Sequence, residues 1–286
     1  MSWVLMVVPT EESVPLGIDE FCRRLAQELG TFNGEGLDLD AHLVDDLGFD
    51  SLQLLQTIDF IESLLGDGTL DDESEIIEAL STVRTAYGYY LTHASMPVTH
   101  SAASLDALGG RLVRLRAVGP VDYPRLYQAA VSNEVAWRWR YGGGLPSYED
   151  FLRTFSNGVL TQLAVTSANS DSAIGLVVAY SASLANRTVY LAAMIEHESV
   201  GAGQGGEATM LFVRHLFRTW DFEKVYLEVP EFNLEQFASG VNTLFSTEAC
   251  LKSHLYGAGR RWDQYTLAIY RDVFQRHWPL SIGRGD

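Results

Sequence analysis

The spacing of apolar residues changes once along this chain, and the change separates two kinds of predicted structure. Between Ile18 and Leu91, apolar residues recur with the period of amphipathic helices. From Val113 onward, several runs alternate apolar and polar residues, which is the period of half-buried strands. A length of 286 residues suits two domains. We therefore expect a multidomain chain, with an all-α part first and an α+β part second.

The predicted boundaries follow these periods. Four helices are expected within residues 1–93. The first has an apolar face from Ile18 to Leu29, and the second begins at Ser51 and has Gln53 on its polar face. Residues 94–110 are small, polar and poorly periodic, which predicts a linker. Within 111–286 we expect a mixed, mainly antiparallel central sheet with flanking helices. Its predicted strands are 111–117, 160–166, 173–181, 188–195, 224–229, 250–256 and 261–270; its predicted helices are 120–133, 147–155, 206–220 and a short one after Asn233.

Nearly all of the net charge of −17 lies in the first third of the chain. Residues 1–95 hold 19 of the 37 acidic residues and 3 of the 20 basic ones. Such a field disfavours nucleic acid and suits a basic docking surface. Basic residues in the second part that could form this surface are Arg138, Arg140, Arg214, Arg218, Arg260 and Arg261.

Neither a membrane segment nor a metal site is indicated. No apolar run approaches the ~18 residues that span a bilayer. The apolar stretch 3–8 is short and lacks a basic flank, which argues against a signal peptide. Cys22 and Cys250 lack metal-ligand spacing and are interpreted as reduced packing residues. We expect a cytoplasmic protein without membrane association.

Ser51 lies at the start of the second predicted helix, directly after Gly48-Phe49-Asp50. The first turn of a helix has free backbone N–H groups and the positive end of the helix dipole, so a phosphate ester on this hydroxyl would be well placed. The alternative is that Asp50 or Ser51 is only an N-cap.

The run Leu47-Gly48-Phe49-Asp50-Ser51-Leu52 resembles the phosphopantetheine attachment motif of acyl and peptidyl carrier proteins, and the resemblance extends over about 14–93. It implies a 4'-phosphopantetheine arm attached covalently to Ser51. It also implies two partners, a phosphopantetheinyl transferase and an acyl-loading enzyme.

A glycine loop, 201–206, separates a predicted strand from a predicted helix. With Gly-Gly-Glu-Ala at 205–208 it resembles motif A of the GCN5-related N-acetyltransferases, the GNAT fold. Residues 247–252, 256–260 and 262–265 resemble the C-terminal signature of the RimJ/RimL-like branch. This likeness covers about 111–278.

The resemblance implies a site in which a pantetheine arm enters between strands 188–195 and 224–229, and an amine attacks the acyl thioester. Backbone groups near Met194, Ile195 and Glu196 would pair with amides of the arm, and Asn233 would help to hold it. Loop glycines that would face phosphate are Gly201, Gly203, Gly205 and Gly206.

Glu248 is the first candidate for the general base and Glu228 the second; Glu196, Glu198 and His197 are weaker candidates. Two positions depart from the family pattern. Val200 removes a polar contact near the pyrophosphate of coenzyme A. Gln236 stands where some members have a serine, which leaves the acid that protonates the thiolate unassigned. Residues considered for that acid are Ser239, Ser246 and Tyr256, and aromatics that could shape an acceptor site or belong to the core are Trp137, Trp139 and Tyr141.

Together the resemblances imply an N-acyltransferase that moves an acyl group from a phosphopantetheine thioester to a small-molecule amine. The donor would be acyl-Ser51 of the same or a sister chain, or acyl-CoA. A private carrier suggests specialised metabolism, such as antibiotic biosynthesis. Two alternatives remain: the second part loads Ser51 by S-acyl transfer, with or without decarboxylation, or it is a non-catalytic docking module for the carrier.

Overall fold

The computed structural model describes residues 15–30, 38–65, 73–94, 108–132, 135–136, 140–196 and 203–278. Four helices come first: α1 (Ile18–Leu29), α2 (Ser51–Leu65), α3 (Glu73–Ala79) and α4 (Val83–Ala94). The ring of Phe21 on α1 contacts those of Phe60 on α2 and of Tyr87 and Tyr90 on α4, which holds these three helices together.

Helix α2 is buried on more than one side, which the sequence period did not predict. Gln53 was assigned to a polar face, yet it is 5% exposed, and Thr57 is fully buried. One side of α2 packs on α1 and α4, and another packs on the second part of the chain. A helical period identifies an apolar stripe but does not reveal a second neighbour.

The second part contains a seven-stranded sheet with the order β1-β2-β3-β4-β5-β7-β6. The strands are β1 (Val113–Ala117), β2 (Val159–Ser167), β3 (Ala173–Ser183), β4 (Thr188–Ile195), β5 (Lys224–Pro230), β6 (Ser246–Gly257) and β7 (Arg260–Tyr270). β4 and β5 are parallel, and the other pairs between these strands are antiparallel. The prediction of a mixed, mainly antiparallel sheet is confirmed.

Helices cover both faces of this sheet. On one face, α5 (Tyr123–Val131) and α6 (Tyr148–Thr154) bury Leu126 and Phe151 against Leu176 of β3 and Met194 of β4. On the other face, α7 (Gln204–Thr219) packs in one hydrophobic core that also includes buried residues of α1, α2 and α4. The first four helices and the α7 side of the sheet therefore share a core.

Three smaller differences from the predicted elements are found. A 3₁₀ helix, Glu231–Gly240, follows β5 where a short helix was predicted, and a final helix α8 (Arg271–His277) was not predicted. Of the predicted linker, 95–107 lies outside the described residues, whereas 108–110 folds back on β1, where Leu115 N donates to the Leu108 carbonyl. In the described part of the chain, none of the helices has the length and hydropathy that crossing a bilayer requires.

Candidate active site

The parallel strands β4 and β5 separate beyond Leu191 and Leu227. Their ladder runs only from Thr188↔Lys224 to Leu191↔Leu227, although β4 continues to Ile195 and β5 to Pro230. Each strand keeps its partner on its other side, β3 for β4 and β7 for β5. A gap lined by backbone therefore opens between the C-terminal halves of the two strands.

Backbone groups of β4 are directed into this gap. The Glu196 N–H donates to the Ile174 carbonyl beside β3 at 2.8 Å. Because successive strand residues direct their backbone groups to opposite sides, those of Ile195 and Ala193 point toward β5. Of the three predicted arm-binding residues, Ile195 has backbone groups at the gap. The side chain of Met194 is buried under α5 and α6, and that of Glu196 pairs with Arg125 at 2.6 and 2.7 Å.

A row of tyrosines crosses the sheet on the face opposite α7. The ring centroids of Tyr180 and Tyr190 are 5.7 Å apart, and those of Tyr190 and Tyr226 are 5.1 Å apart. Beside this row is Glu228, the first β5 residue beyond the ladder with β4, and its side chain is exposed. The Tyr180 hydroxyl donates to Glu228 Oε2 at 3.2 Å. Burial, together with the adjoining Glu228 carboxylate, raises the pKa of Tyr180, so this hydroxyl remains a donor.

Glu248 lies farther along the same face and is occupied by three donors. Its Oε1 accepts hydrogen bonds from Lys224 Nζ at 2.8 Å and from the Tyr270 hydroxyl at 2.6 Å, and its Oε2 accepts one from the Tyr226 hydroxyl at 2.9 Å. Burial acts to raise the pKa of Glu248, but these hydrogen bonds outweigh it and hold that pKa below its usual value. The carboxylate is consequently well stabilised in its charged form.

The predicted glycines lie where α7 begins, beside the end of β4. Gly203 precedes α7 with φ +81°, a left-handed conformation that favours glycine. A Cβ on Gly205 would lie 3.5 Å from Ile195 Cγ1. Asn233 is half-buried in the 3₁₀ helix that follows β5. Gly201, like His197, Glu198 and Val200, lies outside the described residues.

Asp50 caps α2. Its Oδ1 accepts hydrogen bonds from the N–H groups of Leu52 and Gln53 at 3.0 and 2.9 Å, and Gln53 Oε1 accepts one from Asp50 N at 3.0 Å. This reciprocal arrangement is a capping box. Ser51 is half-buried, and its hydroxyl forms no hydrogen bond with the part of the chain that the structure describes. The cap is therefore Asp50, and the Ser51 hydroxyl is not used in it.

The start of α2 fits between α7 and the 3₁₀ helix. A Cβ on Gly206 would lie 3.1 Å from Ser51 Cβ, and one on Gly240 would lie 3.0 Å from Leu52 Cδ2. Asp50 is 7% exposed, and it accepts two further hydrogen bonds from Ser239, from its N–H and its hydroxyl, each at 2.8 Å. Because Gly206 follows Gly205, which lies against Ile195, Ser51 is near the end of β4 that borders the gap.

Arg111 provides a second link to α2, and the sequence reasoning did not single it out. Its guanidinium pairs with Asp59 at 2.5 Å and with Glu62. Its backbone N–H donates to Glu207 Oε1 at 2.9 Å, and the other Glu207 oxygen accepts from the N–H groups of Leu112 and Val113. Glu207 is buried, which raises its pKa, and it ties β1 to α7.

Two of the arginines predicted to receive the acidic part make contacts within the second part of the chain. Arg140 donates to the carbonyls of Phe155 and Asn157, and Arg260 lies 3.3 Å from the ring centroid of Trp262. Arg138, with Trp137 and Trp139, lies outside the described residues, and Tyr141 packs against the core under α5 and α6. A signal that could have pointed to Arg111 is its place directly after the predicted linker.

In the described sheet one pair of neighbouring strands, β4 and β5, is parallel, and these two strands separate halfway along their length. Helix α7 follows the first of them. This arrangement defines the GNAT fold. Solved structures bear this out. Spermidine N-acetyltransferase from Vibrio cholerae in complex with CoA and spermine is similar with a TM-score of 0.51 and 18% identity, over 58% of this chain and 99% of that one. A chimera of spermidine N-acetyltransferase SpeG from V. cholerae and hSSAT gives a TM-score of 0.50 with the same identity and coverage.

No protein-family model matches the sequence, and a search of curated proteins finds no match. The fold predicted for the second part is therefore confirmed by its similarity to solved structures and not by a sequence match. The remainder of this chain has no counterpart in these neighbours, so the resemblance of 14–93 to carrier proteins remains a prediction.

Proposed function

We propose that this chain is an N-acyltransferase that moves an acyl group from a phosphopantetheine thioester to an amine. The observation that carries the proposal is the parting of β4 and β5 after Leu191 and Leu227, with the exposed carboxylate of Glu228 beside the gap. The neighbouring V. cholerae enzyme that binds CoA and spermine supports both the donor and the acceptor class.

The gap suits the arm of the donor. Pantetheine contains two amide groups, and the backbone groups of Ala193 and Ile195 provide donors and acceptors for them along one wall. We propose that Ser51 carries the arm, since its hydroxyl is not used in capping and it lies at the end of the gap. Acyl-CoA is the other possible source of the same thioester.

The thioester supplies an activated acyl carbon, and residues of this chain position and deprotonate the amine. Glu228 takes a proton from the ammonium of the acceptor, while the Tyr180 hydroxyl orients the carboxylate. The amine nitrogen then bonds to the acyl carbon and the carbon–sulfur bond breaks. One proton from the amine passes through Glu228 to solvent, and the second ends on the sulfur of the arm.

We assign the base to Glu228 in preference to Glu248. Glu248 already accepts hydrogen bonds from Lys224, Tyr226 and Tyr270, which stabilise its charged form and weaken it as a base. One Glu228 oxygen has a single donor, Tyr180, and the exposed side chain leaves room for an ammonium. Glu248 then has a supporting role in holding Lys224 and the two tyrosines.

A chain with its own carrier suits a dedicated biosynthetic sequence, so we propose a cytoplasmic role in specialised metabolism. A phosphopantetheinyl transferase would modify Ser51, and a separate enzyme would load the acyl group.

The proposal is tested with two donors. In one reaction, a broad-specificity phosphopantetheinyl transferase attaches acetyl-phosphopantetheine from acetyl-CoA to Ser51 of the full chain. In the other, Ser51→Ala protein receives free acetyl-CoA. Each is mixed with spermine and a panel of primary amines, and mass spectrometry follows the acetyl group. We expect an acetylated amine from wild type and a loss of at least about 100-fold in rate in Glu228→Gln. Absence of any acylated amine from either donor contradicts the proposed function.

A further inference from the structure

We infer that α2, in the position seen here, delivers a donor attached to Ser51 into the gap of its own chain and closes the same entrance to free coenzyme A. This inference rests on the proposed function. It specifies the donor as the Ser51-linked thioester, used within one molecule.

The entrance to the gap has two walls, and each is the continuation of one of the parted strands. β4 leads to α7, whose first turn touches the end of the strand, since a Cβ on Gly205 would lie 3.5 Å from Ile195 Cγ1. β5 leads directly from Pro230 into the 3₁₀ helix that begins at Glu231. A ligand that enters from this end must pass between α7 and the 3₁₀ helix.

The first turns of α2 fill the space between these walls. Against α7, Leu54 and Leu55 lie within 4.0 Å of a Cβ built on Gly203, and Ser51 lies within 3.2 Å of one built on Gly206. Against the 3₁₀ helix, Leu52 lies 3.0 Å from a Cβ built on Gly240. Contacts this close leave no room for a bulky nucleotide between α2 and either wall.

The path from Ser51 to the ladder between β4 and β5 suits a flexible arm. Ser51 touches Gly206, the neighbouring Gly205 touches Ile195, and the ladder resumes at Leu191, four residues farther along β4. Four strand residues span about 13 Å. An extended pantetheine arm reaches on the order of 17 Å, the length of about five extended residues. Part of this length is used between Ser51 and Ile195, so an arm on Ser51 extends into the gap along β4 toward Glu228.

Polar links hold α2 in this position. Ser239 on the 3₁₀ helix binds Asp50 twice, and Arg111 pairs with Asp59 and Glu62 two to three turns farther along α2. Asp50 is buried, and the hydrogen bonds from Ser239 help to satisfy its carboxylate oxygens. Because Ser51 is only half-exposed against Gly206, a modifying enzyme reaches it after α2 has left the groove. The chain thus alternates between an open state for modification and loading and a closed state for transfer.

The experiment maps the arm by cross-linking. A coenzyme A analogue with a photoreactive group at its thiol end is used to modify Ser51 of the full chain with a broad-specificity phosphopantetheinyl transferase. The sample mixes modified protein of natural isotope content with unmodified ¹⁵N-labelled Ser51→Ala protein. After irradiation, peptide mass spectrometry locates the cross-links. We expect them at 191–195 or 227–230 of the unlabelled chain.

Two variants give a second readout that does not depend on activity. Gly206→Leu places a side chain where Ser51 and Leu55 lie, so it should displace α2 and reduce the cross-links at these strands at least about fivefold. Gly88→Leu on α4 is the matched control, since a Cβ there meets nothing within 4 Å. The affinity for free coenzyme A is measured by calorimetry in Ser239→Ala, which loosens α2 and leaves the glycine loop unchanged, and it should rise.

The outcomes separate the inference from the proposed function. Cross-links confined to labelled chains, or to surfaces away from β4 and β5, overturn transfer within one chain while leaving the carrier in place. Unchanged cross-links in Gly206→Leu together with unchanged coenzyme A affinity in Ser239→Ala overturn the closing role of α2. Failure of Ser51 to accept the arm overturns the carrier assignment on which the inference rests, and the acyltransferase is then tested with acetyl-CoA alone.

Discussion

Ser239 donates two hydrogen bonds to Asp50, from its backbone N–H and from its hydroxyl, each at 2.8 Å, although 189 positions separate the two residues. The same Asp50 carboxylate caps α2 through Leu52 and Gln53. One carboxylate therefore determines both where α2 begins and where that end lies relative to the gap between β4 and β5.

Replacing Ser239 by alanine should loosen α2 without unfolding the chain. The lost hydroxyl bond to a charged acceptor is worth about 1.5 kcal/mol, which corresponds to roughly a tenfold shift in the opening equilibrium. We expect Ser51 to be modified correspondingly faster by a phosphopantetheinyl transferase. Thr243→Ala is the matched control, because Thr243 donates to the Ser239 carbonyl and is exposed. Equal rates in both variants and wild type would show that Ser239 does not hold α2.

Glu228→Gln should reduce kcat by about 10²- to 10⁴-fold with little change in KM, because the amide cannot accept the proton of the ammonium. Tyr180→Phe removes the one described donor to this carboxylate and should have a smaller effect, about tenfold, since it affects orientation only. Steady-state kinetics on an acylated amine measure both. A Glu228→Gln enzyme that retains most of its kcat contradicts the assignment of the base.

Glu248→Gln should reduce stability more than catalysis. The carboxylate holds Lys224 and two tyrosine hydroxyls, and a neutral amide weakens the ion pair, at a cost of about 1 kcal/mol in the free energy of unfolding. Denaturant unfolding and kcat are measured on the same preparation. If kcat falls at least as far as in Glu228→Gln while stability is unchanged, Glu248 is the base.

The burial of Glu62, where α2 contacts Arg111, should make the free energy of unfolding depend on pH near neutrality. Burial raises the pKa of Glu62 to about 7 from an ordinary 4.5, against the opposing effect of Arg111, while Asp59 and Glu207 add to the rise. Between these values the folded chain binds more protons than the unfolded one, so the free energy of unfolding falls as pH rises. The contribution is complete below about pH 4.5 and is lost as the pH passes about 7.

Glu62→Gln removes this titration. The free energy of unfolding of wild type minus that of the variant should therefore decrease between about pH 5 and about pH 8, as measured by denaturant unfolding. Glu78→Gln on α3 is a control for the loss of one carboxylate, since Glu78 does not contact Arg111. A difference that is constant across this range would show that the Glu62 pKa is not raised.

Local patterns predicted elements well where one period dominates. Helix α1 begins and ends at the predicted Ile18 and Leu29, and β4 matches the predicted 188–195, because each has a clear apolar period between turn residues. The gap between β4 and β5 was expected only through family resemblance. Its position depends on how many ladder pairs form, which the alternation within each strand does not encode.

Local sequence patterns did not predict contacts between segments that are distant in the chain. Gln53 was predicted on a polar face, and its burial reflects a second packing partner for α2 that the helical period cannot identify. Asp50 was recognised as a possible cap, but its bonds to Ser239 join segments far apart in the chain. The first choice of base, Glu248, followed the family signature, whereas its donors Lys224 and Tyr270 are brought to it by strand pairing.

The most direct test of the account is the intact mass of the full chain after incubation with coenzyme A and a broad-specificity phosphopantetheinyl transferase, in wild type and in Ser51→Ala. We predict that wild type gains the mass of one phosphopantetheine arm and that the variant gains none. A wild-type chain that stays unmodified, or a variant that gains the same arm, would contradict the role of Ser51 as the carrier of the donor.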